Sequence, residues 1–324
     1  MKTEIIITLV AAFLGAAGVV EYAGLPRAKA TVHVLNEDGQ PIPGANATFG
    51  FCAQFNFETN IKVEGVTDAN GNFTGEGYSN GMVGNEIRKE GYYLGWAPLP
   101  TFYTSNDGHW QPWDQTYTTV LRRIETQISL YVRKWGAKIP AALNESCGFD
   151  LEAADWVAPY GKGKAADFIV TVTYLKYTDY NNNELTASIT FPNDGDGIQE
   201  VKLPKEFANS QFKWPREAPE AGYLAKLEAH HIWSMSPLGT NITDTSKGVD
   251  GYFFRVRTVK QGSQITSALY GKITGGIGVG PNEGKNGYIS FTYYLNPTSL
   301  DRNLEFSGNT LFKNLALSET THVP

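Results

Sequence analysis

Two cysteines, Cys52 and Cys147, are all that the 324 residues contain. That is too few for a disulfide-framework fold, and with five scattered histidines too few for a structural zinc site of ordinary spacing. Basic residues are also sparse. Lys plus Arg number 27 against 33 Asp plus Glu, a net charge of −6, without the clustered basic surface that a nucleic-acid binder needs. Beyond residue 20 no apolar run approaches the roughly 20 residues of a membrane-spanning helix. No long stretch of 3.6-residue periodicity occurs there either, so amphipathic helices are not expected. Gly and Pro are plentiful, 34 and 16, but follow no fixed period, which excludes collagen-like order. An aromatic content of 13% excludes a disordered tail.

What is present begins with Ile5 to Val20, an apolar run broken only by Thr8. It is short for a spanning helix and fits the apolar segment of a secretory signal. Ala28-Lys29-Ala30 supplies an A-x-A cleavage pattern ten residues further on. Residues 1–30 therefore read as a signal peptide, or as an uncleaved N-terminal anchor. Either way the rest of the chain is exported: secreted, periplasmic or at the cell surface. No cysteine lies just after the apolar run, which argues against a lipid anchor. In an oxidising compartment Cys52 and Cys147 form one bridge or remain two separate buried thiols.

Short alternating segments dominate from residue 31 onward. Thr31 to Leu35 alternates. Asn36 to Pro41 is a turn with Asp-Gly at its corner, and Val66 to Phe73 reads as strand, Asn-Gly turn, strand. Turn signals every 8–12 residues argue for a β-sandwich. Gly39-x-Pro41-Ile42-x-Gly44-Ala45, then Thr67-Asp68-x-x-Gly71-x-Phe73, then Lys89-x-Gly91-Tyr92 resembles the carboxypeptidase regulatory-like family of small transthyretin-like sandwiches. The resemblance covers about residues 31–125 and implies a fold, an exported context and an accessory role. It implies no peptidase activity. Leu94 to Thr116 departs from the compact pattern and reads as an inserted loop.

Residues 126–324 are β-rich as well and read as one larger, jelly-roll-like β-sandwich of no recognised family. Tyr223 to Trp233 puts Tyr223, Ala225, Leu227, Ala229, His231 and Trp233 on one face and Lys226, Glu228 and His230 on the other, a strand period. The expected class is thus all-β: a small sandwich followed by a larger one.

No residue set reads as catalytic. Gly77-Tyr78-Ser79-Asn80-Gly81 has the spacing of a nucleophile elbow but no helix after it, so it reads as a turn. Asp150, Glu152 and Asp155 before Trp156 are a glycosidase-like acidic stretch or a solvated loop face. Glu228 and His230 are an acid–base pair or ordinary exposed strand residues. The Gly275–Gly280 run lacks the spacing and the helix of a phosphate loop. Asp194, Asp196 and Glu200 are the candidate calcium ligands, against a polar hairpin turn, and no other cofactor is expected. The densest signal is aromatic: Trp96, Phe102, Tyr103, Trp110 and Trp113 crowd the inserted loop. They form a platform for glycan or protein, or they fold inward as core. The leading reading is a non-enzymatic exported protein binding a glycan or protein partner. Its alternatives are a self-associating structural subunit of an extracellular assembly, and a glycan-active enzyme with carboxylates in the second domain.

Overall fold

The computed structural model describes residues 24–52, 60–98, 100–237, 239–245 and 247–324. The apolar run Ile5 to Val20 lies outside them. The described residues hold strands and two short 3₁₀ turns, Lys205–Phe207 and Leu317–Glu319, and no α-helix. The fold is all-β. The chain divides into two compact units, residues 1–124 with 204–213, and residues 125–203 with 214–324.

The first unit contains β1 (Arg27–Leu35), β2 (Asn46–Cys52), β3 (Asn60–Val66), β4 (Asn72–Tyr78), β5 (Val83–Arg88), β6 (Thr104–Asn106), β7 (His109–Gln111) and β8 (Gln115–Val120). One sheet runs β4-β1-β7-β6 with β8 also on β1, and a second runs β3-β2-β5. Alternation along β1 and β2 buries Ala28, Ala30, Val32, Val34, Ala47, Phe49 and Phe51 in a shared core. Two glycines of β4 make that core close. A Cβ on Gly75 would run into the Phe49 ring, and one on Gly77 would lie 2.8 Å from Phe51.

The expected boundary at residue 30 falls inside β1. Ala28 and Ala30 are fully buried and pair with Gly77 and Gly75, so the A-x-A pattern is the small-residue start of a core strand. The three motif pieces interlock at one corner. Thr67 Oγ1 donates to Ile42 O and accepts from Ala45 N, and Lys89 Nζ donates to Pro43 O and Gly44 O. Gly71 (φ +75°) sits where a Cβ would lie 2.5 Å from Val34 O, so the turn requires glycine.

The second unit contains β9 (Ile128–Lys138), β10 (Ser146–Asp150), β11 (Asp155–Trp156), β12 (Phe168–Asp179), β13 (Asn182–Thr190), β14 (Gly197–Val201), β15 (Lys226–Ser236), β16 (Gly239–Asp244), β17 (Gly251–Gln261), β18 (Gln264–Asn282), β19 (Asn286–Asn296) and β20 (Phe306–Thr310). Two six-stranded sheets, β11-β10-β12-β13-β15-β16 and β14-β17-β18-β19-β9-β20, enclose one core rich in aromatic rings. Every neighbour pair but β9–β20 is antiparallel, and half of the pairs join strands that follow one another in the chain.

Candidate functional site

The aromatic insertion is split by its own backbone. β6 and β7 form a hairpin that joins the first unit's sheet through the pair Arg27 and His109. Trp110 points inward: its Nε1 donates to Ser79 O at 2.8 Å, and with Phe102 it packs against the core. Trp96 lies before the hairpin and is only partly exposed, while Tyr103, on the outer side of the hairpin, is 80% exposed. There Trp113 stacks edge-on to His109 at 4.6 Å, and Asn106, Asp107 and Gln111 complete a shallow cleft of about 270 Å³. The five rings are not brought to one platform. The cleft unites Trp113 with polar neighbours, while Phe102 and Trp110 serve packing.

The calcium candidates are not brought together either. Asp194 pairs with Lys260 Nζ at 2.8 Å and Glu200 with Lys202 at 2.8 Å. Asp196 is buried and accepts Thr258 N, Arg257 N and Asn193 Nδ2. Each of the three carboxylates has a nitrogen donor, and among the described residues no group of three or more acidic, His or Cys side chains could hold a metal.

The acidic stretch is also structural. Asp150 accepts the N–H groups of Glu152, Ala153, Lys164 and Ala165. Arg257 reaches Asp150 at 3.1 Å, Glu152 at 2.5 Å and the fully buried Asp167 at 2.8 Å. Asp155 instead orders a turn by accepting Trp156 N and Lys162 N. A bulge after Val256 with Arg257 at φ +56° aims the guanidinium inward. Burial pushes the Asp150 carboxyl up, but its N–H donors and Arg257 outweigh that and hold it below the ordinary range. For Asp167 burial wins and its carboxyl is raised. These acids are held by an arginine, not posed across a sugar bond.

Glu228 pairs with Lys226 at 2.7 Å, whereas His230 Nε2 faces Glu184 at 3.3 Å, so they do not pair with each other. Ser79 Oγ is tied to Met82 O and Gly81 N within its turn. Cys52 and Cys147 lie in different units, both buried, and no disulfide joins them. Burial pushes the Cys147 thiol up to about 11, which makes it a packing group rather than a nucleophile.

The most unusual surface lies at the β16 end of the second unit's first sheet. β16, Gly-Thr-Asn-Ile-Thr-Asp, is exposed along almost its whole length and pairs only with β15 among the described strands. Sheet edges are normally protected by Lys, Pro or a covering segment. This one carries a single charge, Asp244, at its end. Register sets Trp233 opposite Ile242 and Met235 opposite Thr240 on one face. Met235 and Ile242 are 48% and 42% exposed, and Tyr180 packs on Trp233 at 5.3 Å. On that face His231 Nδ1 and Nε2, Trp233 Nε1 and Asn183 Oδ1 are buried without a hydrogen-bond partner. Burial also lowers the His231 pKa, so the ring is neutral at pH 7. The sequence flagged His231 and Trp233 only as one strand face.

No family model and no curated protein matches the sequence. Among solved structures it is similar to a single-substitution variant of the shaft pilin SpaA from Lactobacillus rhamnosus GG, at 13% identity. That match covers 54% of this chain and 91% of the pilin, with a TM-score of 0.21. A double-substitution variant of the same pilin matches at 11% identity over 56% and 91%, with a TM-score of 0.17. At such scores the likeness carries no argument about fold or function. No helix among the described residues is long and apolar enough to cross a membrane.

Proposed function

We propose that this chain is a structural subunit of an extracellular assembly, self-associating through the β16 edge. The observation that carries the reading is an edge strand exposed over Gly239–Thr243, with a single charge at its end, that presents Ile242 beside Met235 and Tyr180, with buried polar atoms lacking partners on the same face. Strand addition from a second copy would satisfy the edge amides and cover the apolar side chains. Antiparallel pairing of β16 with itself is isologous and gives a closed pair; a heterologous contact gives a filament. The apolar run Ile5 to Val20 supports export. On the same footing we assign the first unit as a carboxypeptidase regulatory-like accessory module, supported by the interlocked residues Thr67, Gly71 and Lys89.

Light scattering over a concentration series tests the assembly. The mass should rise with concentration for the native chain and stay monomeric for Ile242→Lys, which places a charge on the edge. A native chain that remains monomeric throughout would sink the proposal.

A second reading, ligand binding at the β6–β7 hairpin, is favoured by the cleft that joins Trp113 to Asn106, His109 and Gln111. Aromatic faces beside amides suit glycans. Trp113→Ala should then abolish binding to whichever glycan a panel detects, and unchanged binding would remove this cleft from consideration.

A further inference from the structure

The second unit's other sheet carries a feature independent of the β16 edge. Over the outer face of β9, β19 and β18 lies an open trench of about 520 Å³. Alternation explains its floor. Ile277, Val279, Ile289 and Phe291 point into the core, so Gly276, Gly278, Ser290 and Thr292 point outward. Strand centres favour branched and aromatic residues, and glycine there weakens a sheet, marking places where something approaches closely. Gly136 of β9 shows the use. A Cβ at that position would collide with the Tyr288 hydroxyl, so its absence lets the tyrosine lie across the neighbouring strand. Tyr288 stays 42% exposed, a flat ring at the end of a hydroxyl-lined floor.

Charge adds to this. Lys134 lines the trench opposite Thr292, and Lys138 stands opposite Tyr288 on the same face. Both are exposed, and neither has an ion pair among the described residues. One wall is Ser318 and Glu319. The Glu319 carboxylate is already paired with Arg133, which holds it below the ordinary range. In a chain of net charge −6, this face therefore presents two unneutralised cations, Lys134 in the trench and Lys138 opposite Tyr288.

We propose that this trench binds an acidic polysaccharide, a glycan chain bearing carboxylates. The Tyr288 ring stacks on a sugar face, Ser290 and Thr292 hydrogen-bond ring hydroxyls, and Lys134 and Lys138 take the carboxylates. An extended peptide fits less well. β19, the centre of the floor, is paired on both sides by β18 and β9 and so has no free backbone edge for strand addition. Two lysines are also too few for a nucleic-acid backbone.

Calorimetric titration of the full chain with polygalacturonate and alginate oligomers, neutral cello-oligosaccharides and polyglutamate tests this. The acidic glycans should bind, more weakly at high salt, and the neutral ones and polyglutamate much less. Lys134→Gln with Lys138→Gln should weaken binding about tenfold without altering the circular dichroism spectrum. Gly136→Val, which displaces Tyr288, should abolish binding. The surface lysine pair keeps the test decisive if the valine variant fails to fold. Silence toward both acidic glycans, native-like binding by the lysine variant, or equal binding of polyglutamate would each overturn the proposal.

Discussion

Arg257→Ala is expected to lower the stability of the second unit by about 3–5 kcal/mol, the scale for removing one partner of a buried ion cluster. Three carboxylates depend on this guanidinium, and Asp167 is fully buried. Without Arg257 its bidentate partner is gone, leaving one N–H donor, from Leu151 at 2.7 Å. Asp150 keeps its four backbone donors and suffers less. Urea titration followed by tryptophan fluorescence measures the loss. Asp167→Asn in the Arg257→Ala background should recover part of it, because the uncompensated charge is then removed. A loss below about 1 kcal/mol would mean that solvent reaches the cluster.

The pH dependence of the cluster has two opposed parts. Asp150 is depressed in the fold, so its contribution is present above the unfolded value and is lost as pH falls through the folded value. Asp167 is raised, so its contribution has the opposite sign: present at low pH and lost as pH rises through its folded value. The cluster therefore gives a shallower acid profile than its number of carboxylates implies.

Strand character was legible wherever alternation ran for five residues or more. In β15 it put Ala229 and His231 on one face, and both are buried, and the Asn36–Pro41 and Asp68–Asn72 corners were legible from Asp-Gly and Asn-Gly. Three-residue strands are too short to show a period, so the hairpin of β6 and β7 gave no hint that Trp110 turns in while Trp113 stays out. Arg257 had no signal at all. Its acidic partners lie 90 to 107 residues away, and a bulge resets its facing, which periodicity cannot foresee. The same long range hid the fate of Asp194, Asp196 and Glu200. A local acidic loop looks like a cation site until the strand bearing Lys260 and Thr258 is folded against it.

Phe149→Ala should destabilise the second unit by a comparable amount, about 3–5 kcal/mol, through transfer and cavity terms together. Phe149 is fully buried and sits among four rings: Trp135 at 4.4 Å, Phe168 at 5.3 Å, Trp156 at 5.4 Å and Phe291 at 5.8 Å. These come from both sheets of the sandwich, so the void cannot be closed by one side chain changing rotamer. Two of the neighbours are tryptophans, and the near-ultraviolet dichroism of Trp135 and Trp156 should lose intensity in the folded variant while the far-ultraviolet spectrum is kept. Phe149→Leu, which preserves most of the volume, should cost less than about half as much. If alanine and leucine proved equally mild, the two sheets would have to close over the gap, and the aromatic box would not be what fixes their spacing.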